Sequence, residues 1–490
     1  MDIVASWLAE NGDKFWTWVV LPIVVLLGLY LTIRSGVVQF RLIPEMFRTL
    51  TNRTPRDDAG EPQSVSAFQA FTISAASRVG TGNIAGVATA IAIGGPGAVF
   101  WMWLMAFIGA ASAFAESTLA QLFKVRDPNG FRGGPAYYMQ RGLKARWLGV
   151  VFAIILIICF PFSFSSLQAN TITAAVGGVV ESTTGAEASG SVAWIVGIAV
   201  AALTALVVFG GVRRIATVTQ SVVPLMALAY LLIGLAVVAV AWREIPGAIA
   251  SIFTQAFGFN EVVGATFGYI VLTGIKRGMF SNEAGLGSAP NAGASAAVTH
   301  PVKQGLVQSL GVYFDTFLIC SITAFIILTG VPDLADAPVG LALTQAALAG
   351  TLGQWSLTAL AVIIFLLAFS SIIGNYYYGE ASIEFISTRR GVLLGYRTFV
   401  VLAVLAGSLL SADVVWAFAD GAMGFMAIIN LIAVALLSGV VFKLLRDYMQ
   451  QRREGKDPVF TRDRLPGVSG IECWTDELSV TGPIQTMKRR

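Results

Sequence analysis

Apolar residues in this chain come in long runs separated by short polar and basic connections. A hydrocarbon core of about 30 Å takes roughly 20 apolar residues of α-helix to cross. Runs of that kind lie at 15–34, 64–95, 97–123, 146–176, 191–209, 214–242, 263–298, 302–330, 353–387, 391–410 and 424–447, so eleven spans are predicted.

Two of the runs are interrupted halfway. In the second, Ser77-Arg78-Val79-Gly80-Thr81-Gly82-Asn83 is glycine-rich, polar and charged; in the seventh the same holds from Gly274 to Gly285, including Lys276, Arg277 and Glu283. An unpaired backbone group in lipid costs several kcal/mol, so broken backbone at membrane depth is tolerated only where it lines a protein cavity. Glycine in a membrane helix also serves close packing, and either stretch alone is open to that reading. Two charged breaks at matching places are harder to treat as packing. They open two five-span units of opposite orientation, 64–242 and 263–447, which is the footprint of an inverted-repeat transporter. The expected layout is an all-α polytopic membrane protein. An extra helix and linker occupy 1–63, and a tail occupies 448–490.

Composition agrees: of 490 residues 56% are hydrophobic and only 12% charged, with a mean hydropathy of +0.74, against about 25% charged in soluble domains. Residues 1–14 are acidic on balance and the first run is long enough to span, so a retained helix is expected there instead of a cleaved signal. With the N-terminus outside and the C-terminus inside, 27 of the 32 Lys and Arg residues fall on the cytoplasmic side and only Lys14 and Arg243 outside, a strong positive-inside bias. The remaining three are Arg78, Lys276 and Arg277, inside the breaks. The tail, with Pro458, Pro466, Gly467 and Gly470, reads as a solvated extension touching anionic lipid. Cys159, Cys320 and Cys473 have neither metal nor disulfide spacing.

A helix restarting near Asn83 points free N–H groups and partial positive charge into the gap, which favours a carboxylate. The preceding half ends near Ser77, and the outer half of the seventh span is expected to end near Thr273 to Arg277; both would offer carbonyls to a cation. One zwitterion and one monovalent cation would satisfy both sets. In the ninth span, Ser370 and Ser371 are candidates for cation ligation, or for bonding to the carbonyl one turn back. Glu116, Asp315, Glu380, Glu384 and Glu283 are intramembrane acids expected chiefly to pair with Arg78, Lys276 and Arg277. An enzyme is not expected: His300 is the only histidine, and no nucleophile, metal or nucleotide pattern is present. Nothing points to an organic cofactor or a nucleic-acid partner; membrane lipid is the expected surrounding, and oligomeric state is not legible.

Val79-Gly80-Thr81-Gly82-Asn83-Ile84-Ala85-Gly86, then Gly94-Gly95-Pro96-Gly97-Ala98-Val99-Phe100-Trp101-Met102-Trp103, and later Gly278 to Gly287, closely resemble the alanine or glycine:cation symporter family, from about Phe15 to Tyr448. The resemblance implies a sodium-coupled importer of alanine or glycine in a bacterial or archaeal plasma membrane, on a LeuT-type five-plus-five repeat. It further implies that Thr81 and Gly82 hold the substrate carboxylate. The carbonyls of Ala76, Val79 and Leu367, with the hydroxyls of Ser370 and Ser371, would bind Na⁺, and Asn83 matches a ligand of a second Na⁺ in some members. From their location, Phe164, Gln168, Thr273, Gly278, Met279 and Phe280 are expected to shape a small pocket, and Arg78, Lys276, Arg277 and Glu283 to form ion pairs or gates. Proton coupling, and a sensor that does not transport, remain as alternatives.

Overall fold

The computed structural model describes residues 10–475 except 57–59, 129, 186–189, 259–265, 332 and 335–336. The expected start of the seventh span at 263 and the tail from 476 onward lie outside the described residues. In chain order, α1 (Glu10–Arg34) leads to a broken segment, α2 (Ala67–Arg78) and α3 (Gly82–Gly94), and then to α4 (Gly97–Leu122). A hairpin, β1 (Val125–Asp127) and β2 (Gly130–Arg132), and the short α5 (Pro135–Arg141) precede α6 (Arg146–Thr184), α7 (Gly190–Val208) and α8 (Gly211–Val240). After α9 (Ile245–Gln255) comes a second broken segment, α10 (Phe267–Asn282) and α11 (Pro290–Ser295). The chain continues through α12 (Pro301–Gly330), α13 (Leu341–Leu352), α14 (Trp355–Ile386), α15 (Arg390–Leu409) and α16 (Ala412–Arg453). Among the described residues nine helices are long and apolar enough to cross a membrane. The two broken segments occupy the remaining predicted spans.

The broken segments sit at the centre. Most residues of α2 and α3, all of α11 and nearly all of α10 from Ile270 onward are buried, whereas α7, α8 and α15 expose Leu203, Leu206, Leu225, Leu228, Leu232, Leu394 and Leu402 on their outer sides. Apolar residues facing outward are what a helix in lipid presents; here the polar ones face in.

The first break falls where expected. Ser66 starts α2 with a capping box, its Oγ accepting from Gln69 N while Gln69 Oε1 accepts from Ser66 N. The helix stops at Arg78, Val79 is extended, and the Asn83 side chain closes the gap by accepting from Gly80 N at 2.9 Å. The second break lies further along than expected. The chain is helical from Phe267 to Asn282, so the carbonyls of Thr273 to Arg277 are not helix ends. Gly274 and Gly278 are there for packing: a Cβ on Gly274 would stand 2.5 Å from the Ala98 carbonyl oxygen, and one on Gly278 would meet Met102. These glycines, four apart, let α10 lie directly on α4. The break is at Glu283 to Ala289, where Glu283, Gly285 and Gly287 all have positive φ. The carboxylate of Glu116 holds it by accepting from Gly285 N and Gly287 N at 3.3 and 3.1 Å and from Asn430 Nδ2 at 2.6 Å.

Three further differences have physical reasons. The last helix begins at Ala412, well before the expected 424, because Asp420, which reads as a water-facing residue, is neutralised inside the bundle. α9 and α13 are short helices in connections, with no run long enough to mark them. The tail is not a solvated extension: Phe460, Leu465, Cys473 and Trp474 are buried against the face that carries the basic connections.

Candidate functional site

Thr81 and Gly82 open α3 in the middle of the protein, and three side chains from elsewhere converge on them. α6 brings two. Pro161 has no N–H to give the helix, and the turn from Ile158 to Phe164 widens to a π-helix around it; such bulges recur at functional sites. Beyond the bulge, Gln168 Oε1 accepts from Thr81 N at 2.9 Å and from Thr81 Oγ1 at 2.6 Å. Phe164 packs at a tilt against Phe280 of α10, ring centroids 4.4 Å apart, and Phe280 packs likewise against Trp416 of α16 at 4.7 Å. Phe280 also closes on the glycine: a Cβ on Gly82 would lie 2.7 Å from Cδ1 of its ring. Thr81, Phe164, Gln168 and Phe280 are each no more than 4% exposed, so the site is shut from both faces.

Not every expected lining residue is here. Thr273 packs against Gly94 at the far end of α3, and Gly278 is taken up by Met102. Met279 is buried, and its carbonyl accepts from Glu283 N. Trp416 was outside every predicted span, and its packing against Phe280 has no signal in its own stretch of sequence.

Below Gly80, α14 crosses α2. Ser371 Oγ lies 3.2 Å from the Val79 carbonyl oxygen and 3.0 Å from that of Leu367. Ser370 Oγ also donates to Leu367 O, at 2.9 Å, but turns its other side to Met226 of α8, 3.2 Å from the sulfur. Both hydroxyls thus bond one turn back, while Ser371 alone reaches across to the break. Ala76 is fully buried on α2, and Gly374 lets α14 approach the backbone of the next residue, Ser77.

A second polar cluster lies beside Asn83. Its Nδ2 donates to Asp315 Oδ1 at 2.6 Å, Ser281 Oγ donates to Asp315 Oδ2 at 2.7 Å, and Cys320 Sγ and Thr316 adjoin them. Asp315 lies in a π-helical turn of α12 that follows Tyr313. Sequence alone left Asn83 without partners, because Ser281 and Asp315 come from other spans.

The charged residues of the breaks separate into two kinds. Arg277 makes a two-toothed pair with Asp420 at 2.8 and 3.2 Å and lies 4.5 Å from the Trp416 ring; Lys276 pairs with Asp13 at 2.7 Å and Asp420 at 3.0 Å. Neither acid was among the expected partners. Arg78 departs from the expected ion pair: Nη1 donates to the Gln308 carbonyl at 3.2 Å, and Nε and Nη2 have no hydrogen-bond partner among the described residues. Glu283 accepts from Ser77 Oγ and Ser288 Oγ at 2.7 and 2.6 Å. Glu380 and Glu384 pair with Arg397 and Arg132, at 3.0 and 3.3 Å.

The model of the sodium:alanine symporter family matches residues 1–462. This chain belongs to that family. It is 52% identical over 467 residues to the amino-acid carrier protein AlsT of Bacillus subtilis, covering 95% of this chain and 97% of that one. It is 45% identical to the probable sodium/glutamine symporter GlnT of the same organism, covering 94% of each. Among solved structures the fold is similar to that of MhsT, crystallised with L-phenylalanine, with a TM-score of 0.55 over 88% of this chain and 97% of that one at 14% identity. The family member described here is therefore a multi-pass membrane transporter with a LeuT-type five-plus-five inverted repeat and broken helices in both halves.

Proposed function

We propose that this chain imports alanine or glycine together with Na⁺ by alternating access. The observation that carries the reading is the wall of Phe164, Phe280 and Trp416 closed on Gly82 beside the N-terminus of α3. The amino acid's carboxylate would take the N–H groups of Thr81 and Gly82, displacing the Gln168 oxygen that now accepts from Thr81, and the rings would leave room only for a small side chain. Na⁺ would lie between the carbonyls of Ala76, Val79 and Leu367 and the hydroxyls of Ser371 and Ser370. Asn83, Ser281 and Asp315 form the place for a second cation, Na⁺ or H⁺.

The same reading puts the basic face in the cytoplasm of a bacterial or archaeal cell, the N-terminus outside, and the two repeats at 64–242 and 263–447. Uptake into proteoliposomes of a panel of small amino acids and glutamine, each with Na⁺, Li⁺ and K⁺, tests it. Alanine or glycine uptake driven by a Na⁺ gradient is expected; preference for glutamine would overturn the small pocket, and indifference to Na⁺ the coupling. Uptake that follows pH at zero Na⁺ would assign the second place to a proton.

A further inference from the structure

The tail leaves α16 and returns across the basic face along a defined route. Phe460 N donates to the Thr299 carbonyl at 2.8 Å and Thr299 Oγ1 to the Pro458 carbonyl at 2.8 Å. Asp457 pairs with Lys303 at 2.8 Å, Arg464 with Asp447 at 2.9 Å, and Glu472 with Arg141 at 2.6 Å. Arg462 N donates to the Trp474 carbonyl at 2.8 Å, closing the loop on itself. The Trp474 indole, 1% exposed, then donates to the Gln121 carbonyl at 3.1 Å, and its ring lies 4.7 Å from the buried ammonium of Lys124.

Two of these contacts fall on Thr299, in the short Ala296–Thr299 stretch of backbone that joins the second broken segment to α12, and the Trp474 indole holds the end of α4 beside it. Gln121 Nε2 and Lys124 Nζ both donate to the Ala296 carbonyl, at 2.9 and 3.0 Å. On its other edge the stretch holds the start of the first broken segment: Ala297 N donates to the Val65 carbonyl at 3.0 Å, and Ser64 Oγ to the Ser295 carbonyl at 2.6 Å. The entrance of α2 is thus bound to the Ser295–Ala297 backbone, and the tail is bound to Thr299, two residues further along the same stretch. For α2 to swing away and open a path from Gly80 to the cytoplasm, this stack must come apart.

We propose that residues 457–475 are a cytoplasmic latch: by clasping the Ala296–Thr299 stretch and the end of α4 they hold the carrier closed on its inner side, and release of cargo requires them to let go. The proposal rests on the alternating-access reading above. Removing the latch raises the inward-open population and exposes the inner half of α2.

The test is the labelling rate of Ser74→Cys with a membrane-impermeant maleimide in inside-out vesicles. The full-length chain carries Cys473→Ser, and the same chain without the Ser74 change is the blank. Ser74 is fully buried on α2; its Oγ donates to the Phe71 carbonyl at 2.9 Å, and its own carbonyl accepts from the Tyr378 hydroxyl of α14 at 3.5 Å. Trp474→Ala and a stop after Lys456 are expected to speed labelling at least threefold without Na⁺. Trp474→Phe, which keeps an aromatic ring but loses the indole donor and part of its bulk, gives a smaller increase and remains readable if the other two fail to assemble. Rates equal to the parent's, with Na⁺ still slowing labelling, would overturn the latch. If Na⁺ does not slow labelling in the parent itself, the alternating-access reading fails instead.

Discussion

Gly82 has no room for a side chain: even a methyl group would stand 2.7 Å from the Phe280 ring. Gly82→Leu is therefore expected to abolish alanine uptake while the protein still reaches the membrane, and normal uptake would show that the glycine serves packing alone. The two serines of α14 are not equivalent. Ser371 reaches the Val79 carbonyl and Ser370 faces the Met226 sulfur, so Ser371→Ala should raise the Na⁺ concentration for half-maximal uptake about tenfold, a loss of about 1.4 kcal/mol. Ser370→Ala should raise it less; equal effects would place both hydroxyls on the ion. The break at Ser77–Asn83 was legible in the sequence as glycine, hydroxyl and charge within an apolar run, whereas the roles of Thr81, Gly82, Val79 and Ser371 came from the family resemblance. Trp416 and Asp420 were legible in neither way, since each acquires meaning only from a partner some 140 residues earlier, Arg277 in the case of Asp420.

At the scale of helices, sequence showed that the seventh span was broken but misplaced the break. Lys276 and Arg277 suggested that the chain could not be helical there, yet Asp420 and Asp13 neutralise them, and the turn is made by Glu283, Gly285 and Gly287 instead. Asp420→Asn leaves Arg277 and Lys276 short of a buried counter-charge. The cost of breaking such a pair is about 3–5 kcal/mol, and a fall in the melting temperature of purified protein checks it. The start of α12 depends on His300: Nδ1 accepts from Val302 N, so the neutral ring carries its proton on Nε2 and donates to Asp447 Oδ2 at 3.1 Å. Burial holds the imidazole pKa down to about 4, against about 6.5 when free. Between those values the unfolded chain binds more protons than the folded one, so this contribution is complete above about pH 6.5 and is lost as pH falls towards 4. Melting temperatures over that range should decline less steeply for His300→Gln than for the parent.

For the molecule as a whole, the inverted repeat brings α3 and α10 together so that a glycine at one break meets a phenylalanine beside the other. Cargo bound there, as proposed above, would touch both halves, and binding can shift the balance of states only through unequal affinity for them. Na⁺ should therefore lower the alanine concentration for half-maximal binding by the same factor by which alanine lowers that for Na⁺. Equilibrium titrations of each in the presence of the other measure both factors. The repeat was readable in the sequence because two charged breaks each open five apolar runs and the positive-inside reading gives the two sets opposite directions. The docking of the tail was not, because its proline and glycine turns read as solvated chain and its anchor, Trp474, sits far from any apolar run.

Trp474 is synthesised after every helix it touches. The membrane bundle can assemble while the ribosome is still at work, but its basic face is finished only when the indole finds the Gln121 carbonyl at the end of α4. A premature stop anywhere in the few residues before it would yield a chain with all the helices described above and an unfinished floor, so the integrity of this face reports on whether translation ran that far.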